Sequence, residues 1–162
     1  MNYKTIRILF IIILLNLFKI NSYSQQKYTK KDVEEFVLKA LDFVKKNGKD
    51  AALKEFINPK GEFLKGKNGI LYIYAYDFKG IVLAHGGKPK LAGFNLFDIK
   101  DIEGNYPVQI MIKAAKNSKN HWASYTWTNP ATKKVERKIG YSVSVDNTWW
   151  LGSGLYESEE NK

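Results

Sequence analysis

Residues 121–156 read HWASYTWTNPATKKVERKIGYSVSVDNTWWLGSGLY, and the fold turns on how that stretch divides. It parses into three adjacent antiparallel strands. Ala123, Tyr125 and Trp127 alternate with Ser124, Thr126 and Thr128, the period of two expected of a half-buried strand. A polar turn at 129–134 leads into a second strand at 135–145, on which Ile139, Tyr141, Val143 and Val145 share one face. The opposite face carries Glu136, Lys138, Gly140, Ser142 and Ser144, which are too small and polar to build a second ordinary apolar core. That face leaves room for something else. Asp146-Asn147 makes the next turn, and Trp149, Trp150 and Leu151 begin a final strand that closes on Gly152, Ser153 and Gly154.

The chain has 162 residues, no cysteine and a formal charge of +10, enough for one compact domain held together by its core and not by disulfides. Its start carries Lys4 and Arg7, then an apolar run at 8–18, then Ser22-Tyr23-Ser24 before Gln25-Gln26, the pattern of a secretory signal peptide at 1–24. A membrane span needs about 20 apolar residues, and this run is shorter, contains Asn16 and ends at Lys19. No cysteine follows it to take a lipid. Export without cysteines points to a bacterial periplasm or exterior, with the domain at 25–156 and a short polar tail at 157–162. Loss of Lys4, Arg7 and Lys19 with the leader lowers the charge from +10 to +7. Scattered lysines of this kind read mainly as a solvated surface, and an exported protein is not expected to bind nucleic acid.

Working back from the strands, the domain opens with helices. Thr29 is an N-cap with Asp32 three residues on, and Val33, Phe36, Val37, Ala40, Leu41 and Val44 follow at helical spacing up to Asn47-Gly48. A shorter helix at 50–57 carries Ala51, Leu53, Phe56 and Ile57 and stops at Asn58-Pro59. ILYIYAYDF at 70–78 is a strand with Tyr72, Tyr74 and Tyr76 on one face and Leu71, Ile73 and Ala75 on the other. Residues 81–85 return beside it. A Gly-rich connection then runs from Gly86 to Gly104, a length that is usually functional in a compact domain. Pro107 opens one more helix, with Val108, Met111, Ile112 and Ala115 as its inward stripe. Five antiparallel strands with segregated helices make an α+β domain.

Several ordered blocks together resemble the single Cache domain (sCache type 2) of bacterial extracellular sensors. They are YDFKG followed by Ala84-His85, LAGFNL, DIEG, YTWTNP, a lysine before the Tyr141 strand, and WLGSGLY, covering essentially 28–156. The resemblance implies a PAS-like five-stranded antiparallel sheet, with the long N-terminal helix on one face and a small-molecule pocket on the other. It also implies a small organic acid or related metabolite as ligand. Gly86-Gly87 stands where the family usually has proline after the histidine. Sensors of this family continue into a membrane helix and a signalling domain, so a separate membrane receptor or kinase is the expected partner here. The N-terminal helix permits a monomer or a weak homodimer.

Within that resemblance, His85 ends a strand at the mouth of the Gly-rich connection, where its imidazole can donate to a carboxylate. The alternative is a half-buried structural histidine. Lys138 sits on the polar face, where an ammonium needs an anion, supplied by a ligand, by Glu136 or by solvent. Tyr125 and Trp127 form an aromatic wall or ordinary core, and Tyr74 is the tyrosine placed nearest the ligand. Tyr141 and Trp149 complete the expected binding set. Asp98, Asp101 and Glu103 lack the alternating oxygens of a calcium loop, and no cofactor or metal is expected. Neither His121 nor His85 belongs to a zinc pair, and Gly152-Ser153-Gly154 lacks the spacing of a hydrolase elbow. The expectation is a non-enzymatic binding module, with a pocketless protein-interaction module of the cell envelope as the alternative.

Overall fold

The computed structural model describes residues 28–157, so the signal peptide read at 1–24 and most of the polar tail lie outside the described residues. Helix α1 (Lys30–Asn47) starts at the expected cap: Thr29 and Asp32 each satisfy the other's backbone N–H in a capping box. Gly48, at φ 80°, breaks α1 from α2 (Lys49–Phe56), where Ala52 and Phe56 turn inward and Ala51 does not. The expected strand at 70–78 is interrupted at Ile73. Its first part, β2 (Leu71–Tyr72), pairs with a short β1 (Leu64–Lys65), and its second, β3 (Tyr74–Asp77), enters the main sheet. Strand β4 (Val82–His85) follows, then the long connection, helix α3 (Pro107–Lys116), and β5 (Trp122–Thr128), β6 (Val135–Ser144) and β7 (Trp149–Tyr156).

The main sheet is five-stranded and antiparallel in the order β4-β3-β7-β6-β5. The last three strands are neighbours, as the alternation in 121–156 requires, while β3 joins the sheet beside β7. Because successive side chains point to opposite faces, the sheet supports two separate cores. On one face α1 and α2 bury Val33, Val37, Ala40 and Phe56 against Leu71, Ile73, Val143 and Leu151. On the other, Tyr72, Tyr74, Tyr76, Trp150 and Tyr125 lie under Val108, Met111 and Ile112 of α3. That second layer is where the small residues of β6 and β7 matter.

Gly140, Gly152 and Gly154 all fall on this second face, by the pairing of Gly140 with Gly154 and of Ser142 with Gly152. A Cβ on Gly152 would stand 2.7 Å from the Tyr74 ring, and one on Gly154 would stand 3.0 Å from Lys138 Cε. The missing side chains are the space that Tyr74 and Lys138 occupy.

Two sequence expectations about facing fail for a single reason. Tyr141 and Trp149, expected in the pocket, both belong to the α1 face. Tyr141 is one residue out of phase with Lys138 and Gly140, and its ring packs 5.0 Å from Trp122 and 5.4 Å from His121. Trp149 is buried with its Nε1–H donated to Asp146 Oδ2 at 3.1 Å. Trp150, its neighbour, takes the pocket face.

Candidate functional site

A cavity of about 20 Å³ lies between the second face and α3, lined by aromatic side chains of Tyr72, Tyr74, Tyr76, Tyr125, Trp127 and Trp150 together with His85 and with Pro107, Val108 and Met111 of α3. That volume holds a single water molecule. Four of the expected residues, Tyr74, His85, Tyr125 and Trp127, border it directly. Lys138 does not border it, but its Nζ is bonded to the hydroxyl of Tyr72, which does.

Lys138 is the exceptional residue of the site. It is only 1 % exposed, and its Nζ donates to Tyr72 Oη at 2.8 Å and to Tyr156 Oη at 3.4 Å. The three phenol rings of Tyr72, Tyr156 and Tyr74 lie 4.0, 4.7 and 5.2 Å from that nitrogen, so the charge rests among π-faces. Among the described residues no carboxylate pairs with it. Glu136, two residues away on the same face, is instead held by Asn129 Nδ2 at 2.7 Å and by the Thr132 hydroxyl. Burial without a counter-charge drives the Lys138 pKa well below its ordinary value.

The phenols are ordered into a chain. Tyr156 Oη donates to the Thr128 carbonyl at 2.9 Å, which spends its only proton and leaves it an acceptor toward Tyr72 Oη, 3.0 Å away. Tyr72, receiving from Lys138, donates on to Tyr156. A continuous line of hydrogen bonds therefore runs from the buried nitrogen to Thr128 at the sheet edge. Tyr74 Oη donates to the Ser153 carbonyl at 3.0 Å, and burial raises its pKa to about 12. Burial likewise pushes Tyr72 and Tyr125 well up, so each of these phenols is neutral and able to donate.

His85 is fixed by its own loop. The Lys88 backbone N–H donates to His85 Nδ1 at 3.0 Å, so in the neutral ring the proton sits on Nε2. At 2 % exposure, burial first and the charge of Lys138 second push its pKa down to about 3. The ring lies 4.9 Å from Tyr72 and 6.2 Å from Trp127. His85 is thus a neutral donor on one wall, and Lys138 is the only buried cation among the described residues.

The residues missed by sequence reading had different degrees of visibility. Tyr72 and Tyr76 share the face of Tyr74 by the period of two. Trp150 stacks on Tyr76 at 5.1 Å and donates its Nε1–H to the Asp77 carbonyl at 3.2 Å, a pairing set by register. Tyr156 was visible only as the end of a motif; its partnership with Lys138 follows from their being directly opposite across β6 and β7. Asp101 accepts backbone N–H groups of Glu103, Asn105 and Thr126, which makes DIKDIEG a structural loop tied to the β5 edge. Groups of acidic and histidine side chains able to hold a metal are absent among the described residues.

The family model for single Cache domain 2 matches residues 21–162. The chain belongs to the single Cache domain 2 family. Its Cache fold is shared with a methyl-accepting chemotaxis protein from Vibrio parahaemolyticus, at 27% identity and a TM-score of 0.66 over 78% of this chain and 87% of that one. A Cache chemosensory domain whose structure gives the basis for carboxylic acid recognition superposes with a TM-score of 0.62 at 22% identity, covering 88% of this chain and 97% of that one. The sensor histidine kinase MctS of Rhizobium johnstonii is 32% identical over 92 residues, which is 56% of this chain and 19% of the kinase. The chain thus matches about a fifth of that relative's length. These relatives are sensory proteins: a chemotaxis protein, a Cache chemosensory domain that recognises carboxylic acids, and a sensor kinase.

Proposed function

We propose that this Cache domain is an exported, non-enzymatic sensing module that binds a small carboxylate, with Lys138 supplying the charge, His85 Nε2–H and the Tyr125 hydroxyl supplying direction, and Tyr74 serving as an aromatic wall. The observation that carries this reading is Lys138 itself. A fully buried ammonium costs several kcal/mol to desolvate, and among the described residues nothing returns that cost as an ion pair. An anionic ligand would. One cation and a neutral histidine match one carboxylate better than two.

The cavity holds one water, so a carboxylate must displace side chains to reach Lys138. Met111, flexible and packed over Gly140, is the side chain best able to yield. The same small volume favours a second reading, in which the pocket is filled by its own aromatic residues and the domain serves as an envelope protein-interaction module. The proposed location is the periplasm or cell exterior, following cleavage of a signal peptide at 1–24. A membrane receptor or kinase is the proposed partner.

A thermal-shift screen of residues 25–162 against formate, acetate, propionate, pyruvate and amino acids, repeated with Lys138→Ala, separates the two. A carboxylate at about 100 times its Kd should stabilise by about 2.7 kcal/mol. A carboxylate shift lost in Lys138→Ala supports the sensing pocket. A flat response across the panel rejects it in favour of the interaction module.

A further inference from the structure

We propose that the pocket takes up a proton together with each carboxylate it binds, with Lys138 as the proton's destination and Tyr72 and Tyr156 as its path. This rests on the carboxylate reading above and states how that site is regulated. The domain would then respond to acidity as well as to anion concentration.

The argument begins with what surrounds Lys138 on every side. Tyr72 of β2, Tyr74 of β3 and Tyr156 of β7 lie within 5.2 Å of Nζ, and Tyr125 of β5 is its cross-strand neighbour. His85 of β4 is neutral and receives the repulsion of Lys138, and Lys88 beyond it adds charge of the same sign. Glu136 of β6 is occupied by Asn129 and Thr132, and α3 contributes Pro107, Val108 and Met111 to the cavity, none of them titratable. Every neighbour is thus neutral, cationic or already engaged. In the empty site the protonated amine has phenol oxygens and π-faces around it but no counter-charge among the described residues, and burial favours the neutral form. A carboxylate placed beside it reverses that preference, because opposite charges in a low-dielectric site attract strongly.

The proton has a route that leaves the pocket closed. Tyr156 is half-exposed and bonded to the Thr128 carbonyl at the rim, with Tyr72 between it and the amine. With the amine neutral, the Tyr156 hydroxyl turns from the Thr128 carbonyl to donate to Tyr72, and Tyr72 turns to donate to the amine; a solvent proton then passes to the Tyr156 oxygen as that hydroxyl hands its own proton to Tyr72. Tyr72 in turn gives its proton to the lone pair of Lys138 Nζ. One proton enters from solvent, one N–H bond forms, and both phenols end as they began with their hydrogen bonds reversed in direction.

The test is calorimetric titration of the domain with acetate and with propionate at about pH 8 to 9, in phosphate and in Tris, whose ionisation heats differ. The slope of binding heat against buffer ionisation heat counts protons taken up. The expected result is uptake approaching one proton per bound carboxylate, with Kd rising up to about tenfold per pH unit across that range. In domain carrying lysine labelled with carbon-13 at Cε, the Lys138 resonance should move from its neutral to its charged position on saturation. Binding with no proton uptake overturns the proposal and leaves the carboxylate reading intact. Uptake without movement of the Lys138 resonance assigns the proton to His85 and also overturns it. Failure of both acids to bind at any pH overturns the carboxylate reading and this proposal together.

Discussion

Replacing Lys138 with methionine in the ligand-free domain should stabilise it, the reverse of what truncating a buried residue normally does. The side chains are similar in length, so the substitution leaves no large cavity and removes the cost of an unpaired ammonium. Exchanging buried charges for apolar groups of matching volume gains about 1–4 kcal/mol in comparable settings. Against this, Tyr72 Oη loses the donor it now receives at 2.8 Å, a cost of about 1 kcal/mol. The net expectation at neutral pH is a gain of about 1–3 kcal/mol, or about 3–10 °C in Tm for a domain of this size.

The pH dependence sharpens the prediction. The unfolded chain holds the Lys138 proton up to about pH 10.4, whereas burial depresses the folded pKa well below its ordinary value. Between those two pKa values the unfolded state binds more protons, so wild-type stability rises with pH, by up to about 1.4 kcal/mol per unit. The advantage of Lys138→Met should therefore shrink between about pH 7 and pH 9. Urea denaturation followed by the fluorescence of the buried Trp149 and Trp150 measures both quantities. A Lys138→Met domain less stable than wild type by more than about 1 kcal/mol, with no difference in pH slope, would refute the reasoning by showing the ammonium to be well paired.

Three further outcomes follow from the same geometry. His85, with its pKa pushed down to about 3, is neutral when folded but protonated when unfolded below about pH 6.5, so stability falls as acid is added. His85→Gln should remove about 2 kcal/mol of the loss between about pH 6.5 and 5, read from denaturation midpoints, and an unchanged acid profile would contradict the burial argument. Gly154→Ala would place a Cβ 2.5 Å from the Ile139 carbonyl and 2.9 Å from Gly140 Cα, both backbone atoms unable to swing aside. It should cost about 1–3 kcal/mol in a urea titration, and a neutral result would mean that β6 and β7 can separate there. Tyr141→Phe, on the α1 face, should leave carboxylate affinity within about twofold, whereas Tyr125→Phe should weaken it by about 1 kcal/mol; equal losses would undo the face assignment.

Much of the architecture was legible in the chain because local periodicity carries it. The capping box at Thr29 and Asp32, the stripe of α1, the alternation of β5 and β6 and the polar face of β6 all needed only residue spacing. The interruption at Ile73 was not legible, since 70–78 alternates without a break; Phe63 draws that backbone aside by accepting the Ile73 N–H at 3.3 Å. Nor was the choice between Trp149 and Trp150, because two adjacent tryptophans satisfy either phase of a strand until a partner sets the register.

For the site, the sequence by itself determined that Lys138, Gly140 and Ser142 share a face unsuited to an ordinary core, and that tyrosines alternate along the 70–78 segment. Residue period and side-chain size suffice for that. Only the tertiary structure decided that Tyr72 and Tyr156 come from strands 84 residues apart to hold Lys138, that Glu136 is turned away from it, and that α3 closes the cavity to the volume of one water. Those facts depend on the order β4-β3-β7-β6-β5 and its register. A register brings together residues with no local relation to one another, and a one-residue slip would exchange the two faces of the sheet.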